Sequence, residues 1–145
     1  MPTFSARSLR SLSTCDDRLQ ALFRRVVGIV DCTVIQGHRS EDEQTAAYES
    51  GNSKIRWPNG KHNSYPSMAV DVAPVLSSED YAIRWKELRR FYHFAGVVRG
   101  VAAEMGLAIR WGGDWDGDFD LSDNTFADLV HFELIEPRPD QPVSV

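Results

Sequence analysis

The sequence predicts a single domain of the α+β class, and three observations predict it. Apolar residues recur at helical spacing in two stretches: Leu19, Leu22, Phe23, Val26, Val27 and Val30, then Trp85, Leu88, Phe91, Tyr92, Ala95, Val98, Ala102 and Met105. Two shorter stretches, 68–72 and 130–134, alternate with period two, as strands with one buried face do. The 145 residues contain no repeat and no linker-like segment, and that length suits one core. The expected domain runs over residues 1–136, followed by a loose tail at 137–145 that begins with Pro137 and Pro139.

Taken in order, a polar leader precedes a helix that Thr14 is placed to cap, with Asp16 and Asp17 in its first turn favouring the helix dipole. Thr33 to Gln36 reads as a short strand broken by Gly37. Ser40 and Glu43 form a capping box, and the helix they start stops at Gly51-Asn52, a left-handed C-cap. A loop rich in Gly, Pro, Asn and Ser spans 52–66 and carries His62; long irregular loops in compact domains tend to be functional. After the 68–72 strand, Ser77, Ser78, Glu79 and Asp80 mark a turn or helix start. A long helix follows over 85–105, ended by Gly106, then a strand over 107–111. His93, on that helix, reads as a packing or surface residue.

Composition excludes several classes. A net charge of -5 with no Lys/Arg cluster argues against a nucleic-acid surface, and no apolar run approaches a membrane span. The first residues carry arginines but no continuous apolar segment, so no secretory signal is expected. Cys15 and Cys32 have no metal-binding spacing and read as reduced thiols.

The chemistry concentrates in the two alternating strands. Asp71 shares its face with Ala69 and Ala73, opposite Met68, Val70 and Val72; His131 points away from Val130, Phe132 and Leu134. If these strands are neighbours, Asp71 and His131 stand side by side, with His62 arching over from its loop. Two imidazoles and a carboxylate make a three-ligand zinc set that leaves a fourth position for water, the arrangement of catalytic rather than structural zinc. Asp128, three residues before His131, is the candidate proton shuttle, with a turn or capping aspartate as the plainer alternative. Arg39 sits at a strand-to-helix junction, suited to hold an acidic group or an oxyanion, or simply to pair with Asp42 or Glu43. Gln36 and His38 are candidate groove residues.

These segments resemble the M15 zinc peptidases of the D-alanyl-D-alanine carboxypeptidase and endolysin kind, most of all the phage L-alanyl-D-glutamate endopeptidases. The resemblance spans roughly residues 34–134 and rests on Gln36-Gly37-His38-Arg39-Ser40, Lys61-His62, Ala69-Val70-Asp71-Val72-Ala73-Pro74, Arg110-Trp111-Gly112-Gly113-Asp114-Trp115 and Asp128-Leu129-Val130-His131-Phe132-Glu133-Leu134. It implies a small antiparallel sheet carrying the zinc site and packed by helices, the Hedgehog/DD-peptidase-like fold. It also implies His62, Asp71 and His131 as zinc ligands, Asp128 as the catalytic acid–base and Arg39 as a substrate-holding residue. The chain departs from the family pattern at Gly60, where Ser is usual, at Ser67, where Gly is usual, and by two extra residues around Tyr65-Pro66.

The function this implies is hydrolysis of peptidoglycan stem peptides by a monomeric phage or prophage endolysin. Such an enzyme waits in the host cytoplasm and acts on the wall from the periplasm, with no nucleic-acid partner and no stable membrane association. A D-alanyl-D-alanine dipeptidase or carboxypeptidase on the same fold is the nearer alternative, and a zinc-stapled wall-binding module the more distant one. Asp114, Asp116, Asp118 and Asp120 alternate as in a calcium loop, and some similar endolysins use such a loop for Ca2+. Phe119 and Thr125, however, stand where an EF-hand needs Gly and a bidentate Glu, so a solvated turn-rich loop is the plainer expectation.

Overall fold

The computed structural model describes residues 2–76, 80–124 and 127–135. Ser77, Ser78 and Glu79 of the expected turn, Thr125, and the 137–145 tail lie outside the described residues. Four strands, β1 (Cys32–Gln36), β2 (Ala69–Pro74), β3 (Ile109–Gly112) and β4 (Asp128–Leu134), form one antiparallel sheet in the order β1-β2-β4-β3. Helices α1 (Ala6–Leu12), α2 (Asp17–Val27), α3 (Glu41–Glu49) and α4 (Leu88–Glu104) complete the α+β fold.

The sheet has two chemically different faces because its strands alternate. Val34, Val70, Val72, Trp111, Phe132 and Leu134 join Leu19, Phe23, Val26, Phe94 and Val98 of α2 and α4 in the main core. Phe132 is fully buried and meets Phe23 and Phe94 edge-on, with ring centroids 5.5 and 6.1 Å away. Truncating such a ring costs about 3–5 kcal/mol, so this contact anchors the middle of β4. Asp71 and His131 occupy the opposite face. Val130, expected to point into the core, instead packs with Ala73 and Phe91 in a small separate cluster beside the site.

Several boundaries differ from the sequence reading. The polar leader contains α1, whose buried contact to β1 is a hydroxyl rather than an apolar stripe: Ser8 Oγ lies 3.2 Å from Thr33 Oγ1 and accepts from the Val34 N–H at 3.0 Å. Asp16, not Thr14, caps α2, accepting from the Arg18 N–H; the Thr14 hydroxyl donates to Ser11 O. α4 begins at Leu88 rather than 85, so Trp85 precedes it and stacks on Phe91 at 5.8 Å. Leu88 and Tyr92 face outward, and Phe94 and Val101 take their places in the buried stripe. β3 begins at Ile109, and β4 begins at Asp128, two residues before the 130–134 stretch. The α3 capping box forms as read, and Gly51 at φ +82° supplies the left-handed turn after it.

Candidate metal centre and groove

Strand pairing builds two corners of the site. β2 and β4 are adjacent, with Asp71 directly opposite His131 and Ala69 opposite Glu133. The third corner comes from a single 3₁₀ turn, Lys61–Asn63, held near β1 by an Arg39 N–H to His62 O hydrogen bond of 2.8 Å. All three side chains are buried.

His62 Nε2, Asp71 Oδ1 and His131 Nδ1 form a nearly equilateral triangle with edges of 3.2, 3.2 and 3.3 Å. Ligands ~2.0–2.1 Å from a tetrahedral ion stand about 3.3 Å apart, so the triangle has the size of one face of such a shell. The outward nitrogens decide what the inward ones offer. His62 Nδ1 lies 2.7 Å from Gly37 O, and His131 Nε2 lies 2.8 Å from Glu133 Oε1; both partners accept only, so both outward nitrogens carry hydrogen. Neutral rings so fixed aim two lone pairs at a carboxylate oxygen, an arrangement that repels unless a cation or proton sits among them. These residues fit a metal ion.

In the metal-free chain a proton takes that part. Burial would lower the His131 pKa, but hydrogen bonds to Asp71 and Glu133 and the Asp71 charge outweigh it and push it up to about 9. Burial would likewise raise Asp71, yet the charge and hydrogen bonds of the two imidazoles hold it well below the usual carboxylate range. Glu133, half of the His131 clamp, was missed in the sequence; its position two residues along the same strand was the available signal.

The triangle lies at the waist of a groove with two lobes. The larger, a cavity of about 660 Å³, is walled by Gln36, Glu43, Asp71, Trp85 and Val130; the smaller, about 270 Å³, by Lys61, His62, Trp115 and His131. Arg39 and Asp128 line both. Burial and the nearby Asp71 carboxylate raise the Asp128 pKa, opposed by the charges of His131, His62 and Arg39. Arg39 approaches Asp71 Oδ2 at 3.5 Å and donates to Gln36 Oε1 and Gln44 Oε1, while Glu43 is taken up by its capping box and by Gln36. His38 lies outside both linings, its Nδ1 3.0 Å from Ser64 O and its ring edge-on to Tyr65. His93 is exposed on α4, as read. Cys15 and Cys32 are buried and unpaired.

The acidic loop is only partly solvated. Asp114 is completely buried, bonded to Arg99 and the Phe119 N–H through Oδ2 at 2.9 Å each, and its Oδ1 has no hydrogen-bond partner among the described residues. Carboxylate oxygens of Asp114, Asp116 and Asp118 lie within 4.8 Å of one another, whereas Asp120 caps the short 3₁₀ turn Leu121–Asp123. Phe119 adopts φ +65°, the left-handed turn for which Gly was thought necessary; its ring lies under the Arg99 guanidinium at 3.8 Å.

The chain as a whole is similar to known proteins. The L-alanyl-D-glutamate peptidase of Escherichia phage T5 is 28% identical over 138 residues, covering 91% of this chain and 97% of that protein. The solved structure of the L-Ala D-Glu endopeptidase ChiX of Serratia marcescens matches with a TM-score of 0.72 at 26% identity, over 92% of this chain and 91% of its own. Residues 2–135 match the family described as phage L-alanyl-D-glutamate peptidase, and the chain belongs to that family.

Proposed function

We propose that the chain is a zinc-dependent peptidoglycan endopeptidase that hydrolyses the L-alanyl-D-glutamate bond of stem peptides. One observation carries the reading: three inward-facing ligand atoms meet at the waist of a groove whose two lobes share Asp128 and Arg39. Family membership supports the bond cleaved. His62, Asp71 and His131 would hold the zinc, since two imidazoles and one carboxylate suit that ion. Zinc in such a site supplies Lewis-acid polarisation of a carbonyl and lowers the pKa of bound water to about 7.

The protein's own groups do the rest. Asp128, reaching the waist from the first residue of β4, takes the proton of the attacking water and returns it to the amine that leaves as the C–N bond breaks. Its raised pKa helps it hold that proton between the two transfers. Arg39 grips an acidic group of the peptide and fixes the scissile bond across the waist. A single chain carries every group named, so a monomer suffices. Among the described residues no helix is long and apolar enough to cross a membrane; wall hydrolysis after release from the host cytoplasm at lysis fits the phage relative.

We further propose that the acidic loop would hold a second ion. A buried Asp114 Oδ1 with no hydrogen-bond partner among the described residues, beside Asp116 and Asp118 in a loop that takes the left-handed turn at Phe119, suits Ca2+. Terbium added to the protein is expected to show saturable luminescence sensitised by Trp115, competed by Ca2+ and lost in Asp116→Asn with Asp118→Asn. Luminescence that never saturates, or survives both changes, contradicts the second site.

Digestion of purified peptidoglycan, read by mass spectrometry, tests the main reading. Fragments ending in free L-alanine are expected, with new D-glutamate amino termini. Asp128→Asn should slow turnover by roughly 10²–10⁴ while retaining zinc and the melting temperature. Release of D-alanine alone, or full activity in Asp128→Asn, refutes it. Because His131 holds a proton below pH about 9 and must give it up to ligate, zinc uptake at pH 7 is expected to release about one proton. Calorimetry in buffers of different ionisation heat measures this; heats independent of buffer would contradict the proposed ligation.

A further inference from the structure

We propose that Gln44 is the positioning residue that aims Arg39 at the substrate side of the metal-ligand face; the proposal rests on the reading of Arg39 as the substrate grip. Gln44 lies on α3 and is 1% exposed, an unusual burial for an amide. Both ends of that amide are used. Its Oε1 accepts from Arg39 Nη1 and from Asn63 Nδ2, each at 3.1 Å, and its Nε2 donates to Ser53 Oγ at 3.0 Å and Ile55 O at 2.7 Å.

These bonds define the guanidinium's place. Arg39 Nε donates to Gln36 Oε1 at 3.0 Å, so two amide oxygens, one on β1 and one on α3, fix two different nitrogens of a planar group. The third nitrogen, Nη2, is thereby turned toward Asp71 Oδ2, 3.5 Å away. The capping box makes the support rigid: Ser40 and Glu43 set the first turn of α3, and the Gln44 N–H donates to Ser40 O at 2.8 Å. Without Gln44 the long arginine side chain would keep one amide anchor and regain much of its rotamer freedom.

Gln44 also supports the loop that carries His62, so the experiment must separate the two routes. Gln44→Met removes both the acceptor and the donor, whereas Gln44→Glu keeps the acceptor facing Arg39 and loses the donated bonds to Ser53 and Ile55. In zinc-loaded protein, the Arg39 Nη1–H NMR signal is expected to be protected from exchange in the wild type and in Gln44→Glu, and to be exchange-broadened in Gln44→Met. In steady-state kinetics Gln44→Met should lower kcat/KM by roughly tenfold, chiefly through KM, with zinc content unchanged. In an Arg39→Ala background it should lower it no further.

An Arg39 signal that survives in Gln44→Met, or disappears in Gln44→Glu, overturns the proposal. So does a full additional loss in the Arg39→Ala background, which would place the effect in the His62 loop. Gln44→Glu carries the spectroscopic test alone should Gln44→Met not fold. If Arg39→Ala by itself leaves KM and kcat unchanged, the grip reading fails before the question of its positioning arises.

Discussion

The two hydrogen bonds that face away from the ligand triangle decide what the site can do. Gly37 O on His62 Nδ1 and Glu133 Oε1 on His131 Nε2 fix the ring hydrogens outward, and the inward nitrogens are left as donors of lone pairs. Three such atoms about 3.2 Å apart cannot coexist without positive charge among them. The scaffold holds both outward partners. A Cβ at Gly37 would collide with Ser11 O in the last turn of α1 and with Thr14 Oγ1 just beyond it, so that carbonyl is pinned by close packing that only glycine permits. Glu133 is fixed by its strand and shielded by Arg110, 3.5 Å away.

The apolar face of the sheet gives this polar face its rigidity. Val70, Val72, Phe132 and Leu134 alternate with Asp71, His131 and Glu133 along the same two strands, so every increment of core burial also fixes a ligand or its clamp. The same logic places Asp128. Gly112 on β3 lies so close to the Asp128 carbonyl that a side chain there would displace it, and the register shift between Trp111 and Gly112 brings the two residues opposite one another. Asp71, His131 and the proposed proton shuttle thus belong to one sheet, and Arg39 and His62 are laid over it by neighbouring turns.

Much of this was legible in the sequence where local rules and tertiary structure agree. Period-two alternation around Asp71 and His131 placed both on one face, and Ser40 with Glu43 announced the start of α3. Resemblance to a known family then supplied the link between segments far apart in the chain. What escaped was structure held by polar side chains without a periodic signature. α1 showed no stripe because it buries only Ser8, through its hydroxyl, and Leu12, and Gln44 looked like an ordinary helix residue until its four partners were brought around it. The substituted family positions show the same principle. Ser67 replaces the usual glycine at no cost in orphaned groups, since its hydroxyl donates to Ala69 O at 2.6 Å and accepts from the Ala69 N–H at 3.2 Å. Phe119 differs in the other direction, taking the left-handed backbone that glycine usually supplies.

The proposed chemistry requires three side chains to share one ion. X-ray absorption at the zinc edge of the metal-loaded protein reads that shell directly. One zinc per chain is expected, with two imidazole nitrogens and oxygen ligands at ~2.0–2.1 Å. A shell with fewer than two imidazoles, or with sulfur from Cys15 or Cys32, would contradict it.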